Sequence, residues 1–185
     1  MIYVIDHEDS FTYNLVHLLE GFAPTYVSNY YDINWHQLEK SKIIIFSPGP
    51  GNPSHYPETQ KVYKKYKGDK KIIGICLGFQ QILYAENADI VPQKKIYHGY
   101  QSKIKTLKES ALFKPNKVFL AGRYHSLKLK EPFNSSSLKI TMRCVESNVA
   151  MAIEDTINNV YGFQFHPDSF LTVDGKFLIQ KVLQF

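Results

Sequence analysis

Short apolar runs alternate with longer amphipathic stretches through the first half of the chain. The runs at 2–5, 43–46 and 71–75 are compact and rich in isoleucine, the pattern of strands buried on both faces. A weaker strand is expected at 25–27, after Pro24. Between the strands, Phe11, Asn14, Leu15, Leu18 and Leu19 recur at helical spacing behind Ser10, which offers an N-cap. Residues 58–66 form a second helical stretch that Gly68 would end, and 77–85 form a third. Buried strands alternating with helices predict right-handed crossovers and a mostly parallel α/β sheet with flanking helices. Ligands of such sheets collect outside the carboxyl ends of the strands. Here those ends carry Asp6, the turn Ser47-Pro48-Gly49-Pro50-Gly51, and Cys76.

The second half has a different rhythm. Residues 104–107, 117–120, 127–129, 138–144 and 150–153 are β-like and separated by short turns, which predicts antiparallel strands added to the core sheet. A further strand is expected at 160–165 and a closing helix at 175–183. No repeat, low-complexity segment or linker intervenes, so the expectation is a single domain over 1–185.

Composition narrows the class. A hydrophobic share of 44% and a charged share of 21% are those of an ordinary globular protein. The net charge of +5 comes from scattered lysines without an arginine-rich stripe, which argues against a nucleic-acid partner. The stretch Val62-Tyr63-Lys64-Lys65-Tyr66-Lys67 reads as a solvated helix face with snorkelling side chains. Asp6, Glu8 and Asp9 interrupt the first apolar stretch, so no signal peptide is expected, and no run approaches bilayer length. Cys76 and Cys144 allow one disulfide, but the setting of Cys76 favours a free thiol in a reducing cytosol, with no membrane partner.

Cys76 lies between the strand Lys71-Ile72-Ile73-Gly74-Ile75 and the helix start Leu77-Gly78-Phe79-Gln80. Gly74 and Gly78 flank it at two residues, the nucleophile-elbow arrangement with cysteine in place of serine. The helix N-terminus would stabilise a thiolate, and the Leu77 amide would stabilise an oxyanion. Cys144 has no such setting and reads as a small buried hydrophobe. A thiol nucleophile needs a base and a group to orient it. Gly162-Phe163-Gln164-Phe165-His166-Pro167-Asp168 supplies both, with His166 at a strand end and Asp168 two residues on. The Pro-Gly-Pro-Gly turn, placed after a buried strand next to the cysteine strand, is a candidate second oxyanion donor. No metal-ligand cluster stands out, and no cofactor is expected.

Together these motifs resemble the class I (triad) glutamine amidotransferases. Asp6-His7-Glu8-Asp9-Ser10-Phe11-Thr12-Tyr13-Asn14-Leu15 is similar to the N-terminus of the glutaminase subunits of anthranilate and aminodeoxychorismate synthases, and Arg123-Tyr124-His125-Ser126-Leu127 to a glutamine-binding segment of the same subunits. The resemblance runs in order over nearly the whole chain. It implies a flavodoxin-like domain in which Cys76 attacks the carboxamide of L-glutamine to form a thioester, His166 shuttles the proton and Asp168 orients His166. It also implies oxyanion donors at Gly51 and Leu77, and glutamine contacts at Gly49, Pro50, Gly51, Gln80, Ser126 and Leu127. Ammonia would pass to a larger chorismate-using synthase subunit, in anthranilate or aminodeoxychorismate synthesis.

The chain departs from the family pattern in four places. Asp168 stands where the third triad member is usually Glu, and Phe79 where these subunits commonly carry His. Asn87-Ala88-Asp89 replaces a Gly-Gly turn, and His98-Gly99 is kept from a longer segment linked to the partner-facing surface. Two alternatives stay open: a glutaminase serving another ammonia acceptor, and a catalytically weak regulatory subunit.

Overall fold

The computed structural model describes residues 1–184. The first half runs β1 (Ile2–Asp6), α1 (Thr12–Glu20), β2 (Thr25–Asn29), α2 (Trp35–Lys40), β3 (Ile43–Phe46), a 3-10 turn (Pro53–His55), α3 (Pro57–Tyr66), β4 (Lys71–Ile75) and α4 (Leu77–Ala85). The second half runs β5 (Ile90–Pro92), β6 (Tyr100–Thr106), β7 (Val118–Arg123), β8 (Leu127–Leu129), β9 (Lys139–Cys144), β10 (Ala150–Asp155), β11 (Val160–Phe163) and α5 (Gly175–Gln184).

Nine strands form one sheet in the order β2-β1-β3-β4-β11-β10-β9-β6-β7. The first five are parallel, and β10, β9, β6 and β7 continue the sheet antiparallel. The mostly parallel α/β expectation therefore holds. One detail is corrected: residues 127–129 do not join the core sheet but pair with β5 in a separate two-stranded ribbon. Three-residue strands carry too little pattern to reveal their partner. The sequence reading also missed β5 and α2, and α2 buries only Leu38 and so lacks an apolar stripe.

Alternation across the buried strands sorts the core into two layers. Ile2, Val4, Ile45, Ile73 and Ile75 face Leu15 and Leu19 of α1 and Leu178, Ile179 and Val182 of α5. Tyr3, Ile5, Ile44, Phe46 and Ile72 face Val62 and Tyr63 of α3 and Phe79, Ile82 and Leu83 of α4. Each such aliphatic side chain contributes about 1.5–3 kcal/mol by leaving water. The strands are buried on both faces because both faces carry helices.

Two local expectations change. Ser10 does not cap α1; the helix starts at Thr12, whose hydroxyl donates to Asp6 Oδ1 (2.7 Å), and Asp9 accepts the Phe11 N–H (2.8 Å). The Tyr-Lys stretch of α3 is only half a solvated face. Its lysines 64 and 65 are exposed, but Tyr63 and Tyr66 are buried, with hydroxyls donating to Glu86 and Glu39 at the protein's edge. A tyrosine can bury its ring and keep its hydroxyl bonded, which a pattern counting it as polar overlooks. Asn87 takes over a glycine's role, adopting φ 62° where the chain leaves α4.

Candidate active site

β4 ends at Ile75 and α4 begins at Leu77, so the chain turns at one residue, Cys76. Its backbone sits at φ 52°, ψ −98°, a conformation that costs an L-residue about 1–3 kcal/mol. The turn leaves no room beside it. A Cβ on Gly74 would overlap the Gly78 backbone, and one on Gly78 would overlap the Phe46 carbonyl. That is the steric reason for the Gly-x-Cys-x-Gly spacing. The Cys76 N–H donates to Phe163 O (2.8 Å), tying the turn to β11, and both cysteines are free thiols.

Because β11 lies beside β4, its continuation through Gln164 and Phe165 carries His166 to Cys76. The His166 backbone is clamped on both sides: its N–H donates to Gly122 O (3.0 Å) and its carbonyl accepts from the Thr172 hydroxyl (2.6 Å). Phe11 and Tyr124 pack edge-on against the imidazole, with centroids at 5.0 and 4.9 Å. Burial works against a charged imidazole, yet the Cys76 thiolate and the Asp168 carboxylate outweigh it and push the His166 pKa up to about 10. The thiolate is the larger of the two partners. Asp168 Oδ2 stands 3.6 Å from His166 Nδ1, an ion-pair separation longer than a hydrogen bond. Both side chains are almost wholly out of solvent, and among the described residues none of their four polar atoms makes a hydrogen bond. Such a concentration of unsatisfied buried polar atoms is uncommon away from functional sites.

The Pro-Gly-Pro-Gly turn lies against the start of α4: a Cβ on Gly49 would fall 2.5 Å from Leu77 Cδ2 and 2.5 Å from His7 Cβ. Gly51 adopts φ 77° and is exposed. Gln80 reaches across from α4, its Nε2 donating to Gln164 Oε1 (3.1 Å) and approaching Leu127 O at 3.5 Å. Gln164 in turn points its Nε2 at the Cys76 carbonyl (3.4 Å) and Sγ (3.9 Å). The fold thus gathers Cys76, Leu77, Gln80, Leu127, His166, Asp168 and the turn at Gly49, Pro50 and Gly51. Ser126 is joined to them through the backbone; its side chain is exposed, and its carbonyl accepts from Gln93 N–H (2.9 Å).

Several neighbours were not singled out from the sequence. Tyr124 and Gln164 lie inside quoted motifs, and alternation along the strand leading to His166 was the available signal for Gln164. His7 also lies inside a quoted motif, but 40 residues from the turn it touches, and Tyr56, close to that turn in sequence, gave no signal of its own. His7 is fully buried between Ser47 and Thr59, and His125 holds Leu127 O with its Nδ1–H (2.7 Å) while its Nε2 accepts from Arg123 Nε (3.0 Å).

Burial lowers the pKa of His7 to about 3, and burial together with the Arg123 charge does the same for His125. The unfolded chain binds protons at these sites from about pH 6.5 downward while the folded chain does not. Their stabilising contribution is therefore complete above about pH 6.5 and is lost as pH falls toward about 3. Denaturant titration between pH 6.5 and 5 should show a loss of about 2 kcal/mol per histidine. His7→Asn should remove about half of that slope. An unchanged slope would mean that His7 takes up a proton in the folded state.

A cysteine at a strained turn between a buried strand and a helix thus lies beside a buried imidazole at the carboxyl end of the sheet. Comparison with known proteins is more specific. The model of the family "Glutamine amidotransferase class-I" matches residues 3–184. Anthranilate synthase component 2 of Lactococcus lactis is 36% identical over 183 residues, covering 97% of this chain and 92% of the relative. The component 2 of Pyropia yezoensis is 40% identical over 192 residues, covering both chains completely. A glutamine amidotransferase from Thermotoga maritima has the same fold, with a TM-score of 0.77 at 14% identity over 99% of this chain and 96% of that one. The chain belongs to the class I glutamine amidotransferases and is homologous to anthranilate synthase component II.

Proposed function

We propose that the chain is the single-domain, cytoplasmic glutaminase subunit of a synthase that aminates chorismate. Cys76 at its strained strand-to-helix turn, with buried His166 brought beside it on the continuation of β11, is the observation that carries this reading. The Cys76 thiolate attacks the carboxamide carbon of L-glutamine, and the oxyanion that forms is held by the amides of Gly51 and Leu77. His166 gives its proton to the departing nitrogen, which leaves as ammonia, and a γ-glutamyl thioester remains. His166 then takes a proton from water as the hydroxide attacks, releasing glutamate and the thiolate. Asp168 orients the imidazole, while Gly49, Pro50, Gln80, Ser126 and Leu127 hold the substrate. The relatives' names support a component I partner as the ammonia acceptor in anthranilate synthesis; aminodeoxychorismate synthesis is the alternative.

The chain should be purified with the chorismate-using subunit it captures from its own cell and supplied with chorismate and glutamine. Glutamate and an aminated chorismate product, anthranilate or aminodeoxychorismate, are expected in equal amounts. A complex that makes the amine from ammonium but never from glutamine overturns the proposal.

A second reading, a regulatory subunit of low turnover, draws on the 3.6 Å gap between Asp168 and His166. Asp168→Glu adds one methylene and brings the carboxylate into hydrogen-bond range of Nδ1. Turnover should be kept or raised, by about two- to fivefold. A tenfold loss would show that the backbone here is adapted to Asp.

A further inference from the structure

Two of the three inner carbonyls of the turn at 47–51 are tied down by hydroxyl groups. Ser47 Oγ donates to Pro48 O at 2.6 Å, and Tyr56 Oη donates to Pro50 O at 2.7 Å. Both peptides are trans, so each N–H points opposite to its carbonyl. Fixing Pro50 O therefore fixes the direction of the Gly51 amide, which bonds to no group among the described residues. Gly51 is at φ 77°, a conformation with several neighbouring rotations of the peptide open to glycine. Among the described residues, the Tyr56 hydroxyl is the one group that hydrogen-bonds to this peptide.

Tyr56 is in turn held. Its ring is buried, edge-on to His7 (4.9 Å) and Tyr30 (4.8 Å). His7 braces the other half of the turn: its N–H donates to Ser47 Oγ (2.9 Å), and its ring spans Ser47 Oγ (3.2 Å) and Thr59 Oγ1 (2.9 Å). Since the single Ser47 proton goes to Pro48 O, His7 Nδ1 carries the donor hydrogen and Nε2 accepts from Thr59. Burial keeps the Tyr56 hydroxyl protonated and His7 neutral, as these roles require.

We propose that Tyr56 is a positioning residue for glutamine hydrolysis: its hydroxyl sets the Pro50–Gly51 peptide so that the Gly51 amide serves as an oxyanion donor, with His7 and Ser47 bracing the Pro48–Gly49 peptide earlier in the turn. The proposal rests on the glutaminase reading above. Tyr56→Phe removes one oxygen and leaves the ring packing in place, so it isolates the hydroxyl.

The test uses the complex with the synthase subunit and follows two reactions of Cys76. In one, glutamine turnover passes through an oxyanion; in the other, alkylation by iodoacetamide does not. Tyr56→Phe should lower kcat for glutamine by about 10- to 100-fold, the scale of weakening one oxyanion donor. KM should stay within about threefold and the alkylation rate within about twofold, since neither depends on that donor. Ser47→Ala should lower kcat in the same sense, and the double variant should lose less than the product of the two losses. Turnover by Tyr56→Phe within about threefold of the parent overturns the proposal. So does a parallel fall in turnover and alkylation, which would report a general disturbance of the site. If the parent complex alkylates at Cys76 but hydrolyses no glutamine, the glutaminase reading fails and this inference with it.

Discussion

Replacing Cys76 with alanine should abolish ammonia release from glutamine, by ~10,000-fold or more, while the partner synthase continues to use free ammonium at its usual rate. No other thiol can substitute. Cys144 is buried against Arg123 Nη1 (3.4 Å) and Glu146 Oε2 (3.1 Å), on β9, which three strands of the sheet order separate from β4's neighbour β3. The same position offers a second reading of its strain. Alanine keeps a Cβ at φ 52°, whereas glycine adopts that conformation freely. Cys76→Gly should therefore be equally inactive yet more stable than Cys76→Ala by about 1 kcal/mol or more. Ammonia assays on the complex and denaturant titration of the two variants check both statements. Retained glutamine hydrolysis in either variant would remove Cys76 from the mechanism. Equal stability would mean that the turn relaxes when the thiol is gone.

A single methyl group at Gly175 should damage the site from the opposite side. A Cβ there would overlap the Pro167 carbonyl oxygen, a backbone atom, with no flexible side chain to yield. Pro167 joins His166 to Asp168, and Gly175 opens α5, whose Leu178, Ile179 and Val182 are buried in the core. The helix must move away from the sheet, or the His-Pro-Asp segment must move away from the helix. Gly175→Ala should cost about 3 kcal/mol, a Tm drop of about 5–10 °C for a chain of this size. Turnover should fall more steeply than stability predicts, because displacement of about 1 Å at a reacting group costs on the order of 100-fold. A variant with parental Tm and turnover would show that the 167–175 loop repacks without cost.

Much of the site was legible because its constraints are local. A strand, a one-residue turn and a helix cannot meet at Cys76 unless Gly74 and Gly78 lack side chains, so the spacing announces the geometry. The same holds for the inner parallel strands β1, β3 and β4, whose burial leaves compact apolar runs at 2–5, 43–46 and 72–75. His166 and Asp168 were legible as a pair two residues apart at a strand end.

Other features had no local signature. The ribbon of β5 and β8 is too short to show periodicity, and Tyr63 and Tyr66 hide apolar rings in a lysine-rich helix. His7 and Tyr56 sit 40 residues before and a few residues after the turn they support, and their types suit many surroundings. The sequence by itself determined which residue turns sharply between strand and helix, and which histidine and acid lie two residues apart at a strand end. Only the tertiary structure decided that β11 lies next to β4, which places His166 at Cys76 across 90 residues of chain. It alone decided the 3.6 Å between His166 and Asp168 and the hydrogen bond from the Tyr56 hydroxyl to the Pro50 carbonyl. Turn sterics act between neighbours along the chain, whereas strand order and hydrogen-bond aim depend on contacts made only after the sheet has closed.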